Sequence, residues 1–213
     1  MTFIARHLVS PHSKPNLSVC QARKIGDWES GLRLSQNEGM KSSVNKINRL
    51  TQAEYQQWLN DKASFGQVDS PFGVVSLCFD SSGVSRLSFG EDAFDEFEAN
   101  LSRDNDLAQR YVDEIFSGCF SGQLILMATD FELIVWRTAM AIKFGETVSY
   151  QALAERIGKP KSFRSVASAI AKNRCGMLIP CHRVIKKSGE LGEFRWGREM
   201  KSRLLDWESH TKR

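Results

Sequence analysis

The sequence lacks any apolar run that approaches the roughly 20 residues needed to cross a bilayer. Its first residues also lack the basic segment, apolar segment and small-residue cleavage site that make up a secretory signal. We therefore expect an intracellular protein with no membrane partner. Its compartment should be the cytoplasm if the source is bacterial and the nucleus if the source is eukaryotic.

Cysteine is scarce and irregularly spaced. The 213 residues contain five cysteines and no CxxC pair: Cys20, Cys78, Cys119, Cys175 and Cys181. An odd and irregular set of this kind favours reduced thiols over a disulfide framework. A zinc site would need Cys and His at ligand spacing, and the nearest approach to such a group is His7, His12 and Cys20. We therefore expect no metal site.

A strong charge of either sign is also absent, because the formal net charge is only +4. The distribution of charge is more informative than the total. Residues 91–114 are rich in Asp and Glu, whereas residues 156–187 are rich in Lys and Arg. The first segment would repel nucleic acid and the second would attract it.

Two segments precede the basic region. Residues 1–66 are polar, with a short possible helix at 51–59, and we predict a partly disordered extension in which Met40 is an alternative start. Apolar residues then alternate over 72–79 and 84–89 around Ser81-Ser82-Gly83, which predicts a hairpin. Helical spacing over 94–116 and an apolar run at 124–127 complete a small α+β domain at 67–128.

Residues 129–213 have mainly helical spacing. Thr129-Asp130 is a plausible helix cap, and helices are predicted at 131–142, 149–157 and 162–172. Gly158 and Pro160 separate the last two helices, which is typical of a helix-turn-helix. A helical hairpin with a purely packing role remains the alternative.

A cysteine and a histidine adjoin in Ile179-Pro180-Cys181-His182-Arg183-Val184-Ile185. A thiol beside an imidazole can lose its proton more readily, and the thiolate is the form that attacks carbon. For an arbitrary Cys-His pair, a buried structural cysteine beside a surface histidine is the commoner situation. The dipeptide alone therefore leaves both readings open.

The segment 180–184 resembles the active-site signature of the O6-alkylguanine-DNA alkyltransferases, also called methylated-DNA–protein-cysteine methyltransferases. The resemblance covers residues 69–208. Residues 144–150 are similar to the family's entry into the helix-turn-helix, 164–166 to the start of its recognition helix and 189–197 to its substrate loop. Single positions also match, namely Asn173 before the active-site strand and Lys201, Leu204, Leu205 and Glu208 in the closing helix.

This resemblance implies an α+β protein with a ribonuclease-H-like sheet-and-helix domain, followed by a helical domain with a winged-helix-like helix-turn-helix. It implies direct-reversal DNA repair, in which Cys181 takes a methyl or larger alkyl group from O6-alkylguanine, or from O4-alkylthymine. The transfer would be irreversible, would occur once per molecule and would need no cofactor. The chemistry would use His182 as general base through a water, Glu208 to orient the imidazole, Tyr150 as proton donor to the leaving base and Asn173 to tie the recognition helix to the active-site turn.

The implied partner is double-stranded DNA, bound by a monomer through the minor groove with little sequence preference. A stacked base cannot reach the thiol, so the family rotates the nucleotide out of the helix. Arg164 matches the arginine that fills the gap, Ser165 and Ser168 would lie in the groove, and Tyr150 would lie near the target phosphate. Phosphates would meet Lys159, Lys161, Lys172 and Arg174, and the base pocket would be lined by Val184, Phe194 and Arg195.

Three positions depart from the family pattern. Phe194 stands where many members have tyrosine, Glu193 where a small or neutral residue is usual, and Gly176 where some have proline, which would loosen the pocket wall. These departures leave a lesion-binding protein with little or no transfer as the main alternative. A cysteine hydrolase using Cys181 and His182 and a methylation-sensing regulator are further alternatives.

Overall fold

The computed structural model describes residues 46–90 and 101–211. The first part of the chain is built around a sheet: β1 Ile47–Leu50, α1 Gln52–Asp61, β2 Ser64–Ser70, β3 Gly73–Asp80, β4 Gly83–Phe89, β5 Ser102–Arg103, α2 Asn105–Ser117 and β6 Gln123–Met127. The second part is mainly helical: α3 Asp130–Met140, β7 Val148–Ser149, α4 Tyr150–Arg156, α5 Phe163–Ala171, β8 Val184–Ile185 and α6 Arg198–Thr211. Short 3-10 turns cover Pro160–Ser162 and Cys181–Arg183.

Strand order in the six-stranded sheet is β1-β6-β4-β3-β2-β5. The hairpin expected from the alternating apolar residues is confirmed, since β3 and β4 pair antiparallel. Successive strand residues point to opposite faces, so Leu77 and Phe79 enter the main core while Cys78 enters a smaller cluster with Trp58 and Leu59 of α1. Helices α1 and α2 therefore cover opposite faces of the sheet.

Residues 46–66, expected to be part of a polar extension, instead contribute β1, α1 and the start of β2 to this layer. Strand β1 pairs parallel with β6. The short helix predicted at 51–59 is confirmed as α1, capped by reciprocal hydrogen bonds between Thr51 and Glu54. The segment looked unstructured because α1 buries only two side chains, so its apolar stripe is too narrow to detect. Residues 1–45, including Met40, and 91–100 lie outside the described residues.

The helices predicted for the second part are confirmed as α3, α4 and α5. Thr129 caps α3 as expected, with Glu132 closing the capping box. Gly158 lies between α4 and α5 at a φ of 72°, a left-handed conformation that favours glycine. The indole of Trp136 in α3 donates to the carbonyl of Ala169 in α5 at 2.8 Å, so α3 packs against the second helix of the pair.

Backbone hydrogen bonds join the two parts at residues 174–176, a few positions before Cys181. The amide of Leu87 in β4 donates to the Arg174 carbonyl at 3.0 Å, and the Gly176 amide donates to the Leu87 carbonyl at 2.9 Å. An aromatic cluster also crosses the junction, because Phe72 and Phe116 both contact Trp207 of α6. Among the described residues, none of the helices has the length and apolarity of a membrane span.

Candidate active site

The 3-10 turn Cys181–Arg183 lies between α5 and β8 and is buried throughout. Pro180 precedes the turn and the Cys181 amide donates to the Ile179 carbonyl at 2.7 Å, so the backbone is held on the N-terminal side of the thiol. Val184 follows in β8, which pairs parallel with β7 just before Tyr150. The short β7–β8 ladder therefore brings Tyr150 and Cys181 into one region although they are far apart in sequence.

Asn173 connects the end of α5 to this turn. Its Nδ2 donates to the Ile179 carbonyl at 2.9 Å and to Cys181 Sγ at 3.0 Å, and its Oδ1 accepts from the Cys175 amide at 2.8 Å. The side chain is buried, with 1% of its surface exposed. The amide group therefore fixes both the turn and the direction of the thiol relative to α5.

His182, Arg183 and Glu208 form a buried hydrogen-bonded group. His182 Nε2 lies 2.7 Å from Glu208 Oε1, and the Arg183 guanidinium donates to both oxygens of the same carboxylate at 2.8–3.1 Å. The Gly145 amide donates to Glu208 Oε2 at 2.9 Å. His182 Nδ1 is buried and has no hydrogen-bond partner among the described residues, so this nitrogen is available to an incoming group or water.

The charge states of this group follow from its surroundings. Burial raises the pKa of Glu208, but the hydrogen bonds and charges of His182 and Arg183 outweigh it and hold the pKa at about 2. Burial lowers the pKa of His182 more than Glu208 raises it. At neutral pH the site therefore holds an ionised carboxylate and a neutral imidazole, which is the form that can accept a proton.

The Cys181 thiol is protonated at rest. Burial raises its pKa to about 11, although the Asn173 hydrogen bond and the Lys201 charge favour the thiolate. The expectation that the neighbouring imidazole eases deprotonation is therefore not met in the resting protein. The physical reason is that desolvation of a buried thiolate outweighs these contacts, and the His182 ring bonds to Glu208 through Nε2.

A loop between β8 and α6 closes the region from the other side. Lys201 of α6 is fully buried, and its ammonium donates to the carbonyls of Val184 and Leu191 at 2.6 and 2.5 Å. Burial lowers the pKa of Lys201 to about 8.

The pKa of Tyr150 is raised by burial and by the nearby Cys181 thiol and Glu193 carboxylate, so its hydroxyl keeps its proton. A Cβ placed on Gly192 would lie 3.6 Å from the Tyr150 hydroxyl, so the loop backbone passes close to it.

Comparisons with known proteins identify the family of the chain. Residues 130–210 match the family model described as 6-O-methylguanine DNA methyltransferase, DNA binding domain. A methylated-DNA–protein-cysteine methyltransferase of Mycobacterium tuberculosis is 32% identical over 148 residues, which cover 66% of this chain and 89% of that protein. The chain belongs to the methylated-DNA–protein-cysteine methyltransferase family.

Two further relatives of the family bear on the chain. A member from Kluyveromyces lactis is 49% identical over 80 residues, which cover 38% of this chain and 42% of that protein, so the match spans less than half of that relative. The crystal structure of M. tuberculosis OGT in complex with DNA aligns with a TM-score of 0.61 and 31% identity, covering 70% of this chain and 94% of that one. The fold of the chain is accordingly the mixed α+β fold of the family.

The residues that the family resemblance assigns to DNA are exposed, except Tyr150, which is partly buried. Arg164, Ser165 and Ser168 of α5 are all exposed. Of the four proposed phosphate contacts, Lys159, Lys161 and Arg174 are exposed, and Lys172 is exposed but paired with Glu132 at 2.6 Å. Their contacts with DNA stay a prediction.

The predicted pocket residues do not all face the same way. Val184 is buried beside Cys181, and Phe194 is partly buried with its ring packed edge-on against Trp196 at 5.1 Å. The Arg195 guanidinium instead donates to the carbonyls of Asn173 and Ala171 at 3.0 and 3.1 Å, so it caps the C-terminal end of α5. Its role in a base pocket stays a prediction.

The departures from the family pattern have different settings. Gly176 is closely packed, since a Cβ there would lie 3.0 Å from the Phe89 ring and 3.1 Å from the Trp196 ring. Its lack of a side chain thus admits two aromatic rings and does not leave a gap. Glu193 is exposed and forms an ion pair with Arg198.

Three residues of the site were not assigned a function from the sequence: Arg183, Gly145 and Lys201. Arg183 directly follows the Cys-His pair. A buried arginine needs an acidic partner, so this position was the sequence signal that could have pointed to a role for Arg183 in the site. For Gly145 no side-chain signal exists, because its backbone amide makes the contact. Within residues 46–90 and 101–211, no cluster of His, Cys, Asp and Glu is placed to hold a metal; His7, His12 and Cys20 lie outside that range.

Proposed function

We propose that the protein repairs DNA by direct reversal, transferring a methyl or larger alkyl group from O6-alkylguanine to Cys181. The observation that carries the proposal is the thiol fixed by Asn173 beside a neutral His182 that is bonded to the ionised Glu208. A nucleophile, a base and an orienting acid are the parts needed to activate a thiol whose resting pKa is high. The relatives named above as methyltransferases support the same activity.

The reaction is a single displacement at the alkyl carbon. The Sγ–C bond forms while the bond from that carbon to guanine O6 breaks, and the base leaves with the bonding electron pair. His182 accepts the thiol proton through a water at Nδ1, and Glu208 and Arg183 hold the ring in the tautomer that leaves this nitrogen free. The leaving base takes a proton from the Tyr150 hydroxyl, and the proton that His182 accepted then returns through solvent to the Tyr150 oxygen. Overall, one proton moves from the thiol to guanine, and His182 and Tyr150 regain their resting protonation states.

No part of this scheme regenerates the thiol. The thioether on Cys181 is stable, because the thiolate that would have to leave the alkyl carbon is a poor leaving group. Each molecule therefore reacts once. The reaction needs no cofactor. O4-alkylthymine offers the same arrangement of an alkyl carbon on a base oxygen and is a second substrate class. Cys175 does not compete as acceptor, because it is fully buried and burial raises its pKa to about 12.

The lesion reaches the site by base flipping from the minor groove of duplex DNA, with little sequence preference. The exposed residues of α5 support this docking, in which Arg164 takes the place of the withdrawn base. A monomer suffices because one chain carries every group.

We also assign a ribonuclease-H-like fold to the sheet region and a winged-helix-like fold to the region after Ala128. The six-stranded mixed sheet and the β7–β8 ladder beside the α4–α5 pair support these assignments.

Intact mass spectrometry tests the activity. The protein is incubated with excess duplex DNA containing O6-methylguanine, beside a Cys181→Ala variant. A gain of one methyl group (~14 Da), mapped to Cys181 and absent from the variant, is the expected result. An unchanged mass with preferential binding of the lesion duplex would replace transfer by lesion sensing, and an unchanged mass without preference would reject both functions.

A further inference from the structure

Phe163 is the one exposed aromatic side chain in the part of the chain that the structure describes, with 40% of its surface exposed. It is the first residue of α5, three positions before the buried Val166. That spacing would place it on the apolar stripe of the helix. It escapes burial because the preceding turn Pro160–Ser162 contributes no buried residue that would cover the ring.

The Phe163 ring is in contact with Arg164. The guanidinium carbon lies 5.7 Å from the ring centre, within the range of a cation–π contact. Neighbouring residues on a helix do not face each other, so the Arg164 side chain must turn back toward the ring to make this contact. The ring therefore defines a resting position for the side chain that is proposed to fill the vacated base stack.

The surroundings of the ring favour a polyanion. The segment from Ile157 to Lys172 contains no acidic residue, and Lys159 and Lys161 are exposed just before Phe163. A single exposed apolar side chain needs no explanation by itself. An aromatic ring joined to a cation at the basic end of a DNA-facing helix is a different case, because such side chains wedge into base steps and stack on bases.

We propose that Phe163 is a second side chain that enters the duplex, beside Arg164, at the base-pair step from which the alkylated guanine is withdrawn. Its ring stacks on the base that loses its neighbour and keeps the step open while Arg164 fills the gap. This inference rests on the proposed function, because it assumes that α5 approaches DNA to flip a nucleotide. It assigns specificity for duplex substrate to a residue outside the alkyl-acceptor site.

The test compares Phe163→Ala with Met127→Ala, a matched loss of an exposed apolar side chain in the sheet region, where Met127 is 50% exposed. Single-turnover transfer is measured with duplex DNA containing O6-methylguanine and with free O6-methylguanine base, and duplex affinity is measured by fluorescence anisotropy. We expect Phe163→Ala to slow duplex transfer about tenfold and to weaken binding of the lesion duplex, because one aromatic stacking contact with a base is lost. Transfer from the free base should be unchanged, and Phe163→Trp should retain duplex transfer.

Equal losses on duplex and free base would overturn the proposal in favour of a structural role. Duplex rates and affinities for Phe163→Ala that match Met127→Ala would overturn it as well. If the parent protein transferred nothing from either substrate, the proposed function would fail. The affinity measurement would still decide whether Phe163 enters the lesion duplex.

Discussion

The two regions of the molecule treat buried polar side chains differently. Among the described residues of the sheet region, 46–90 and 101–128, the buried polar side chains are three serines and Arg86, all on β3 and β4. In the region after Ala128 they are Glu132, Asn173, His182, Arg183, Lys201 and Glu208, and all but Glu132 belong to the site. Ionisable groups are costly to bury, so their concentration around one thiol indicates that this region is organised for chemistry.

The sheet region is stabilised mainly by apolar contact, and its role is mechanical. The backbone of Leu87 in β4 is hydrogen-bonded to Arg174 and Gly176, and Trp196 packs against Phe89 at 5.4 Å. Loss of an apolar group there should reduce stability without altering the acceptor chemistry. Loss of a charged group in the second region should reduce both the stability of the protein and the rate of transfer to Cys181.

The strongest test of this contrast is Glu208→Gln. The change leaves Arg183 buried without its counter-charge and removes the anion that orients His182. We expect the free energy of unfolding, measured in urea, to fall by about 3–5 kcal/mol and transfer to slow by about two orders of magnitude or more. Glu190→Gln, in the exposed Lys186 pair, is the control and should leave the free energy of unfolding nearly unchanged, because solvent screens that pair. Comparable losses in both variants would refute the buried network.

Leu77→Ala tests the opposite half of the comparison. Leu77 is fully buried in β3, so its truncation should lower the free energy of unfolding by about 2–5 kcal/mol through lost contact and a cavity. Transfer per folded molecule, measured by methyl incorporation at a temperature where the variant is folded, should match the parent. A slower reaction in the folded variant would show that the sheet region affects the thiol directly.

Much of the fold and several residues of the candidate site could be predicted from the sequence, because the relevant signals are local. The hairpin, α2 and the three helices after Thr129 follow from apolar spacing, turn residues and caps. The candidate site residues followed from a motif, and the structure places Asn173 against Cys181 and Glu208 against His182.

What could not be predicted depends on contacts distant in sequence. Strand β1 has four residues and is defined by its parallel pairing with β6, 77 positions away at Ile47–Leu124. The high pKa of Cys181 follows from burial, which a motif does not reveal. Arg195 looked like a pocket residue by register, but only the packed structure shows its guanidinium at the end of α5.

The pH dependence of transfer separates two ways of activating the thiol. If His182 is the base, its lowered pKa means that the rate is level from neutral pH upward and falls on acidification only below about 6.5, as the imidazole becomes protonated. If the thiolate formed first in the free protein, the rate would rise about tenfold per pH unit toward the Cys181 pKa of about 11. Single-turnover rates between pH 5.5 and 9.5, each within the reach of ordinary buffers, distinguish the two.

Stability should depend on pH through Glu208. Its pKa in the folded protein is about 2, below the ordinary value of 4.5. Its contribution is therefore complete above pH 4.5 and is lost as the pH falls toward 2. Urea unfolding of the parent and of Glu208→Gln at pH 3 and pH 6 measures this; the difference between the two proteins should shrink at the lower pH. A constant difference would place the stabilisation outside the carboxylate charge.

The smallest effect is expected at Glu193, an exposed residue of the second region whose charge acts over a distance. Its carboxylate contributes to the raised pKa of Tyr150 and partly offsets the burial that lowers the pKa of Lys201. Glu193→Gln should leave the free energy of unfolding within about 0.5 kcal/mol, because the Arg198 pair is solvent-exposed. It should tighten binding of duplex DNA a few-fold at low salt, with the gain vanishing as salt screens the charge. Glu199→Gln, an equal change of charge at an exposed position in α6, is the control in the same anisotropy titration. If both variants gained equally, net charge would explain the effect and Glu193 would have no special place beside the site.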